Sequence, residues 1–422
     1  MTSTAPTLIT NARVLTMTSP SDRGIPYAAR RGRDHARLGV IEQGDVLITG
    51  STITQVDAAG AITAPEGCRI VDARGRVLMP AFIDAHTHAC WAGDRLDEWE
   101  RKQAGATYLE ILESGGGIMS TVRAVREASQ DQLASSLLDR LNHMLGEGTT
   151  AVEVKSGYGL STEAELKMLR AIRDAGERWA GHVTPTACIG HALDPDVDRQ
   201  RFIDTTIHET LDAVHAEFPG IAIDAYCEQG AWSLEETIRL FERAMELDHP
   251  VRIHGDQFNE LGITRWAHEH GALSVDHLEA TSTEELVRLA PSESFGVMLP
   301  CSGFHVDGRY ANGRGFLDAG GSLVIATNSN PGSAPTSSMP FAIALAVRHL
   351  GITAAEAITA CTRNSAALLG LDDRGIIEEG MQADLVLLRH TDERQLGYEF
   401  GGNPVDAVWC AGNRIDDAAA NG

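Results

Sequence analysis

The sequence MPAFIDAHTHACWAGDR, residues 79–95, decides how the rest of the chain is interpreted. It is a short apolar run that ends in two histidines one residue apart, His86 and His88. Side chains at positions i and i+2 of a β-strand point to the same side, so both imidazoles project from the end of one strand. Two imidazoles at this spacing are able to bind one metal ion, and two hydrogen-bonded, inert histidines are the alternative.

Short apolar runs recur after residue 80, and amphipathic helical segments separate most of them. Strands that alternate with helices are typical of parallel βαβ units. Eight strands of nearly continuous apolar character predict a closed (β/α)8 TIM-like barrel, with little helix between the seventh and the eighth strand. The eight predicted strands cover residues 82–88, 149–155, 182–191, 221–227, 250–254, 272–277, 295–300 and 323–328.

The two ends of the chain alternate apolar and polar residues between Gly, Asp and Asn turns. This pattern predicts strands that lie half-buried. We expect residues 1–79 and 371–422 to form one small β-sandwich domain, and residues 80–370 to form the barrel. The basic segment 28–38, AARRGRDHARL, is predicted to be a surface loop, with a place at an active-site rim or a subunit contact as the alternative.

The composition excludes several classes of partner. A formal net charge of −24 disfavours binding to nucleic acid and to anionic membrane surfaces. No apolar run approaches the roughly 18 residues of a membrane helix, and the N-terminus shows no signal-peptide pattern. The seven cysteines are scattered without a CxxC motif, which is typical of a reduced compartment, so we expect the cytoplasm.

Histidines end four of the predicted strands. In such barrels the chemistry lies at the C-terminal ends of the strands, and five of the 16 histidines fall at these ends. This placement favours metal-centred or acid/base chemistry over satisfied core histidines. The five are His86, His88, His191, His254 and His277.

His86, His88 and His254 are the natural metal ligands among them. Three imidazoles leave a position for water, whose pKa the ion lowers towards neutrality. His277 is then a candidate to orient that water or to move a proton, and His191 and Tyr158 are candidates to polarise a substrate carbonyl. Lys155 is expected to pair with Glu153 rather than to bridge a second metal as a carbamate.

Arg95 follows the histidine pair and is a candidate to bind a substrate carboxylate. The alternative is a surface arginine paired with Asp94 or Glu98. The triplet Gly115-Gly116-Gly117 precedes a predicted helix, so its N–H groups are candidates to bind an anion. A plain flexible loop is the alternative.

Several longer motifs resemble one known family. They are HTHACWAGDR (86–95), QAGATYLEI (103–111), SGGGIMSTVRAVREAS (114–129), VEVKSGYGLS (152–161), IHGDQ (253–257), DHLE (276–279), NPGS (330–333) and FGGN (400–403). The chain resembles the amidohydrolase superfamily and, more narrowly, the imidazolonepropionases, which open a ring in histidine degradation.

The resemblance implies hydrolysis of 4-imidazolone-5-propanoate to N-formimidoyl-L-glutamate by a homodimer that carries one Zn²⁺ or Fe³⁺ per chain. Its small-molecule substrate has a carboxylate arm. The implied metal ligands are His86, His88 and His254. His277 matches an active-site histidine, and Gln257 and the residue at position 328 are further catalytic candidates. The implied substrate-binding residues are Arg95 for the propionate, Tyr158, His191, Gln257, Asn330, Gly332 and Ser333.

One position departs from the family pattern, which reads TDxNPGS at the end of strand 8. Here Asn328 stands where the family has an Asp that ligates the metal and moves the proton. An amide offers a metal a weak oxygen ligand but is no base near neutral pH. Either the base is disabled, or another base such as His277 replaces it. The alternative functions are hydrolysis or deamination of another nitrogen heterocycle, and ligand binding without turnover.

Overall fold

The computed structural model describes residues 5–19, 28–105 and 116–415. In these residues the strands form two sheets of eight strands each. One is a parallel barrel and the other is a mixed sheet built from both ends of the chain, so the predicted fold class is confirmed. No helix in the described ranges is long and apolar enough to cross a membrane.

The mixed sheet takes its first five strands from the N-terminal segment. The first of them pairs antiparallel with the second and parallel with the fourth and fifth. Apolar residues alternate along it and face a small core beneath the sheet. The five strands are β1 (Thr7–Leu15), β2 (Val40–Thr49), β3 (Thr52–Ala58), β4 (Arg69–Asp72) and β5 (Val77–Pro80).

The barrel strands follow in chain order, each parallel to the next. A bridge between Thr87 and Ser329 brings the chain after the first strand beside the chain after the eighth, and the His88 N–H donates to the Ser329 carbonyl at 2.9 Å. The histidine motif therefore lies next to the loop that contains Asn328. The strands are β6 (Phe82–Asp84), β7 (Thr149–Lys155), β8 (His182–Gly190), β9 (Ala222–Cys227), β10 (Val251–Gly255), β11 (Ser274–His277), β12 (Phe295–Met298) and β13 (Leu323–Ile325).

The helices between the strands bury apolar residues against the barrel, and side-chain caps start several of them. Ser129 and Ser233 each form a capping box, which satisfies backbone N–H groups at a helix start. The first ten helices are α1 (Leu96–Gln103), α2 (Ile118–Glu127), α3 (Gln130–Gly146), α4 (Thr162–Arg178), α5 (Arg199–Thr205), α6 (Leu211–Glu217), α7 (Leu234–Glu246), α8 (Ile263–His270), α9 (Thr283–Leu289) and α10 (Pro300–Val306).

The amphipathic segment 119–146 forms two helices rather than one, because Ala128 is extended and Ser129 caps a new helix. The segment between the last two barrel strands contains more helix than its glycines predict, since a second short helix follows α10 there. The remaining helices are α11 (Gly313–Asp318), α12 (Met339–His349), α13 (Ala354–Ala360), α14 (Arg363–Leu368) and α15 (Gln395–Tyr398).

Three C-terminal strands complete the mixed sheet beside β5. They are β14 (Leu385–Leu388), β15 (Val405–Cys410) and β16 (Asn413–Ile415), all antiparallel to their neighbours. The boundaries 1–79 with 371–422 and 80–370 stay a prediction for the division into domains.

The basic segment 28–38 is not a surface loop, so that prediction is wrong. It forms a 3-10 helix, Gly32–Ala36, in which His35 is fully buried. The Arg31 guanidinium donates to the carbonyls of Ala290 and Ser292, which follow α9. Basic side chains satisfy the free carbonyls at helix ends, and this explains how a polar segment packs against the barrel.

His35 is held as a neutral imidazole. Its Nδ1 lies 3.1 Å from the Gly32 carbonyl, and its Nε2 accepts from the Leu323 N–H and the Asn364 Nδ2. Burial lowers the pKa of His35 to about 4 from its ordinary 6.5. A second proton on Nε2 would face these two donors, and the one acceptor near it is the Leu323 carbonyl at 3.3 Å.

The stability of the protein should therefore fall as the pH decreases from 6.5 towards 4. The unfolded chain binds a proton at His35 in this window and the folded chain does not, so the neutral side chain contributes stability only above it. The lowered pKa of His35 corresponds to about 3 kcal/mol in the free energy of unfolding. Thermal unfolding is measured between pH 7 and 4.5. The melting temperature should fall less steeply with decreasing pH in His35→Gln than in the unchanged chain, whereas the exposed control His143→Gln should keep the original dependence on pH. Equal slopes for His35→Gln and the unchanged chain would contradict this assignment.

Candidate metal centre and substrate pocket

Three histidine rings converge at the mouth of the barrel. His86 and His88 follow the short strand β6, and His254 lies on β10. Their ring centroids are 4.6 to 5.3 Å apart, and one nitrogen from each lies within 4.8 Å of the others. All three side chains are buried, so the structure brings together the three predicted ligands.

The environment of these rings fits a cation. His86 Nδ1 lies 2.5 Å from an Asp276 oxygen, and His254 Nδ1 lies 3.0 Å from an Asp224 oxygen. Carboxylates behind the rings orient metal-binding histidines in this way and leave Nε2 for the ion. His86 Nε2 is buried and has no hydrogen-bond partner in the described residues, and His88 Nε2 faces His254 Nε2 at 3.0 Å.

The three imidazoles are in the protonation state that binds metal. Burial lowers the pKa of His86, His88 and His254, so each ring is neutral near pH 7. A second buried group, Cys188 with Asp224 and His254, is a poorer candidate, because burial raises the pKa of the Cys188 thiol well above its usual range.

A network of buried charges lies beneath the histidines. Lys155 Nζ is 2.7 Å from Glu153 and 2.7 Å from Asp224, so its predicted pairing with Glu153 is confirmed. Arg252 donates to Asp276 at 2.8 Å. Burial alone would raise the pKa of Asp224, but His254 and Lys155 hold it well below its usual range. The network keeps Asp224 charged and holds both orienting carboxylates in place.

His277 ends β11 beside the histidine cluster. Its ring centroid is 6.0 Å from that of His86 and 5.6 Å from that of His254. Its Nδ1 is 3.3 Å from an oxygen of Glu279, which leaves Nε2 for another partner. The backbone of His277 has a φ of 91°, a strained value that turns the chain sharply at the strand end.

Tyr158 and His191 form one wall of the pocket. The His191 ring stacks on His88 with centroids 4.6 Å apart, and Tyr158 lies 5.2 Å from His191. His191 Nδ1 lies 2.9 Å from the Gly157 carbonyl, and burial lowers the pKa of His191 to about 3. The neutral ring therefore carries its proton on Nδ1 and offers Nε2 as an acceptor. Burial raises the pKa of Tyr158, so its hydroxyl remains a donor.

Arg95 immediately precedes α1 and is 11% exposed at its side chain. Its Nη1 donates to both oxygens of Glu98, and its Nε donates to Thr121. The Gly117 N–H donates to Glu98 as well, so the last glycine of the triplet binds a carboxylate of the protein itself. Gly115 lies outside the described residues.

The loop after β13 surrounds the other side of Arg95. Asn328 is buried with a φ of 57°, its N–H donates to the His86 carbonyl, and its amide oxygen has no partner in the described residues. The Asn330 side chain accepts from the N–H groups of Gly332 and Ser333. Asn330 therefore shapes the loop, and a Cβ on Gly332 would lie 3.9 Å from the Arg95 guanidinium.

Gln257 lies beyond His254 and is already held by neighbours. Its amide oxygen accepts from the Tyr226 hydroxyl at 2.8 Å, and its Nε2 is 3.4 Å from the Ser302 hydroxyl. These contacts fix the amide at the edge of the cluster.

The sequence profile of the amidohydrolase family matches residues 77–415 of this chain. The chain belongs to the amidohydrolase family. It also belongs to the imidazolonepropionases within it. It is 41% identical to the imidazolonepropionase of Herpetosiphon aurantiacus over 394 residues, which cover 91% of this chain and 92% of the relative. It is 42% identical to that of Deinococcus radiodurans, over 92% and 95% of the two chains.

Solved structures of other amidohydrolases share the fold. A 5-methylcytosine deaminase from Klebsiella pneumoniae superposes with a TM-score of 0.74 at 16% identity and covers 97% of both chains. At this identity the likeness concerns the fold alone.

Sequence reasoning missed five residues that support this amidohydrolase site, namely Asp224, Tyr226, Arg252, Asp276 and Glu279. A signal was present, because Asp224 and Tyr226, and likewise Arg252 and His254, are two apart on one strand and so share a face. What the sequence did not reveal is which strands place these faces against each other.

Loss of one orienting carboxylate should weaken metal binding. Asp224→Asn keeps the shape of the side chain but removes the charge behind His254, and we expect metal affinity to fall by about 10- to 100-fold. Competition with a fluorescent chelator measures the affinity. The exposed Asp212→Asn is the matched control and should bind metal as the unchanged chain does. Unchanged affinity in Asp224→Asn would show that Asp224 does not support the metal ligand.

Proposed function

We propose that this chain hydrolyses the ring amide of 4-imidazolone-5-propanoate and releases N-formimidoyl-L-glutamate. The observation that carries the proposal is the 41% and 42% identity to imidazolonepropionases over more than nine tenths of this chain. The buried histidine cluster at the barrel mouth supports the metal-dependent chemistry of the family.

The cofactor proposed is one Zn²⁺ or Fe³⁺ per chain, bound by His86, His88 and His254, with the Asn328 amide oxygen as a weak fourth ligand. Such an ion supplies a Lewis acid that polarises a carbonyl and acidifies water. We also propose a homodimer in the cytoplasm, without nucleic-acid or membrane partners.

Arg95 binds the propionate of the substrate, because a guanidinium offers a carboxylate two parallel hydrogen bonds. Gly332 and Ser333 line the same end of the pocket. Asn330 keeps these two residues in place through its side-chain oxygen.

Tyr158 and His191 orient the ring of the substrate. The Tyr158 hydroxyl donates to the substrate carbonyl, whereas His191 accepts a ring N–H at its Nε2, because its Nδ1 carries the proton. The sequence suggested that both residues polarise the carbonyl, and the geometry supports this role for Tyr158 only. Gln257 lies near the ring, where its fixed amide offers a further hydrogen bond.

Two accounts of the proton are open in this chain: the base is disabled at Asn328, or His277 accepts the proton in its place. The Asn328 amide is no base, so the proton of the attacking water needs another acceptor. The ring of His277 lies beside the cluster, and its Nδ1 is 3.3 Å from Glu279, which leaves Nε2 for the proton. Asn328 also favours a second candidate function, ligand binding without turnover.

Restoring a carboxylate at position 328 should raise turnover. Asn328→Asp adds both a base and a charged metal ligand, and we expect kcat to increase by about 10²- to 10⁴-fold. Loss of imidazolone ultraviolet absorbance measures the rate, and chelator competition should show tighter metal binding. The exposed Asn413→Asp is the matched control.

Three outcomes separate the accounts of Asn328. A large gain supports a disabled base. Equal, substantial activity in both forms supports His277 as the base. Tight binding of the imidazolone without turnover in either form contradicts the proposed function and favours ligand binding alone.

Replacement of Arg95 should weaken the binding of substrates that carry a carboxylate. In Arg95→Ala we expect KM for the imidazolone propanoate to rise about 100-fold, the size of a lost pair of charged hydrogen bonds. The matched control is an imidazolone without the propionate, whose KM should not change. An unchanged KM for the propanoate would contradict the role of Arg95 in binding the propionate.

A further inference from the structure

The carboxylate of Glu98 forms an ion pair with Arg95, the residue proposed to bind the propionate of the substrate. Arg95 Nη1 is 2.8 Å from one Glu98 oxygen and 3.1 Å from the other. The two side chains are only 11% and 20% exposed. Their spacing, i and i+3 across the first turn of α1, places the two groups on the same side of the helix.

Glu98 is fixed by more than Arg95. Its Oε1 also accepts from the Gly117 N–H at 2.9 Å, at the start of α2, where the helix dipole favours a negative charge. The carboxylate is therefore held by two neighbours, Arg95 and the Gly117 N–H, and it stays next to the guanidinium.

Arg95 keeps its orientation by contacts other than Glu98. Its Nε donates to the Thr121 hydroxyl at 2.9 Å, on the α2 helix. On another side the guanidinium approaches the backbone at Gly332, where an added Cβ would be 3.9 Å from its carbon and from Nη2. Thr121 and the loop after β13 therefore hold the group against the pocket without help from Glu98.

We propose that the Glu98 carboxylate competes with the substrate carboxylate for Arg95 and sets the affinity of the pocket for anions. This inference rests on the proposed function, in which Arg95 binds the propionate. Glu98 occupies Nη1 and neutralises the guanidinium, so an incoming carboxylate must displace it or share the donors that remain.

Competition by Glu98 would favour the release of product over its retention. Hydrolysis of the ring amide turns a substrate with one carboxylate into a product with two. A pocket with an uncompensated arginine would hold a product with two carboxylates tightly, whereas the paired Arg95 and Glu98 carry no net charge. Glu98 thus weakens substrate binding and speeds the release of product.

The variant Glu98→Gln tests this proposal, because it removes the negative charge of the side chain and keeps its shape. Glu98→Gln retains an amide oxygen for the Gly117 N–H, and the metal-loaded chain is titrated with imidazole-4-acetate and with 4-methylimidazole in a calorimeter. We expect about tenfold tighter binding of the acetate, the size of one competing charged hydrogen bond, and no change for methylimidazole. The KM of the propanoate substrate should fall similarly, and inhibition by product should strengthen.

Two further variants make the result specific. Glu100→Gln removes one charge from an exposed position of the same helix and should change neither affinity. In an Arg95→Ala background, Glu98→Gln should have no effect on the acetate. Circular dichroism confirms that each variant folds.

The inference and the proposed function fail in different ways. If Arg95→Ala binds the acetate as the unchanged chain does, the propionate subsite itself is wrong. If Arg95→Ala weakens binding but Glu98→Gln weakens it too or leaves it unchanged, Glu98 only positions Arg95 and the competition is overturned. An equal gain in Glu100→Gln would attribute the effect to net charge and overturn it as well.

Discussion

The salt bridges of Lys155 with Glu153 and Asp224, in the interior of the barrel, are the interaction on which the site depends. Both distances are 2.7 Å and all three side chains are fully buried. An isolated buried charge is very costly, so each carboxylate of the network needs its cation. Asp224 lies between Lys155 and His254. In the same way, Asp276 lies between Arg252 and His86. The charges stabilise one orientation of the metal ligands.

The strand ends convert this rigid interior into a pocket. Four residues that are not glycine adopt a positive φ at or shortly after the ends of the barrel strands β10, β11 and β13, namely Asp256, His277, Leu278 and Asn328. Each such conformation costs on the order of 1–3 kcal/mol and persists only where the surrounding structure enforces it. The barrel enforces it here by hydrogen bonds, as in Asp256, whose carboxylate accepts from Thr264 and Thr281. The sharp turns direct the following side chains into the mouth rather than along the strands.

The barrel and the histidine cluster could be predicted because both follow from short-range patterns. The alternation of apolar runs with amphipathic segments predicts eight parallel strands, and the i, i+2 rule predicts that His86 and His88 share a face. The charged network could not be predicted in the same way. Lys155 and Asp224 are 69 residues apart, and their contact depends on the register between strands rather than on either local sequence.

Composition misled the interpretation of the basic segment near the N-terminus. A stretch rich in arginine normally lies in water, but the Arg31 guanidinium here finds backbone carbonyls to satisfy at a helix end. The role of His191 was equally hidden, since its tautomer depends on a hydrogen bond to the Gly157 carbonyl. Such partners become visible only when the chain is folded.

In the proposed site the three histidines hold one ion, and the carboxylates behind them orient their rings. Anomalous diffraction from crystals of the metal-loaded chain, measured on both sides of the metal's absorption edge, locates that ion. We expect one anomalous peak per chain among the Nε2 atoms of His86, His88 and His254. A peak at Cys188 and Asp224 instead, or none at the barrel mouth, would contradict the proposed site.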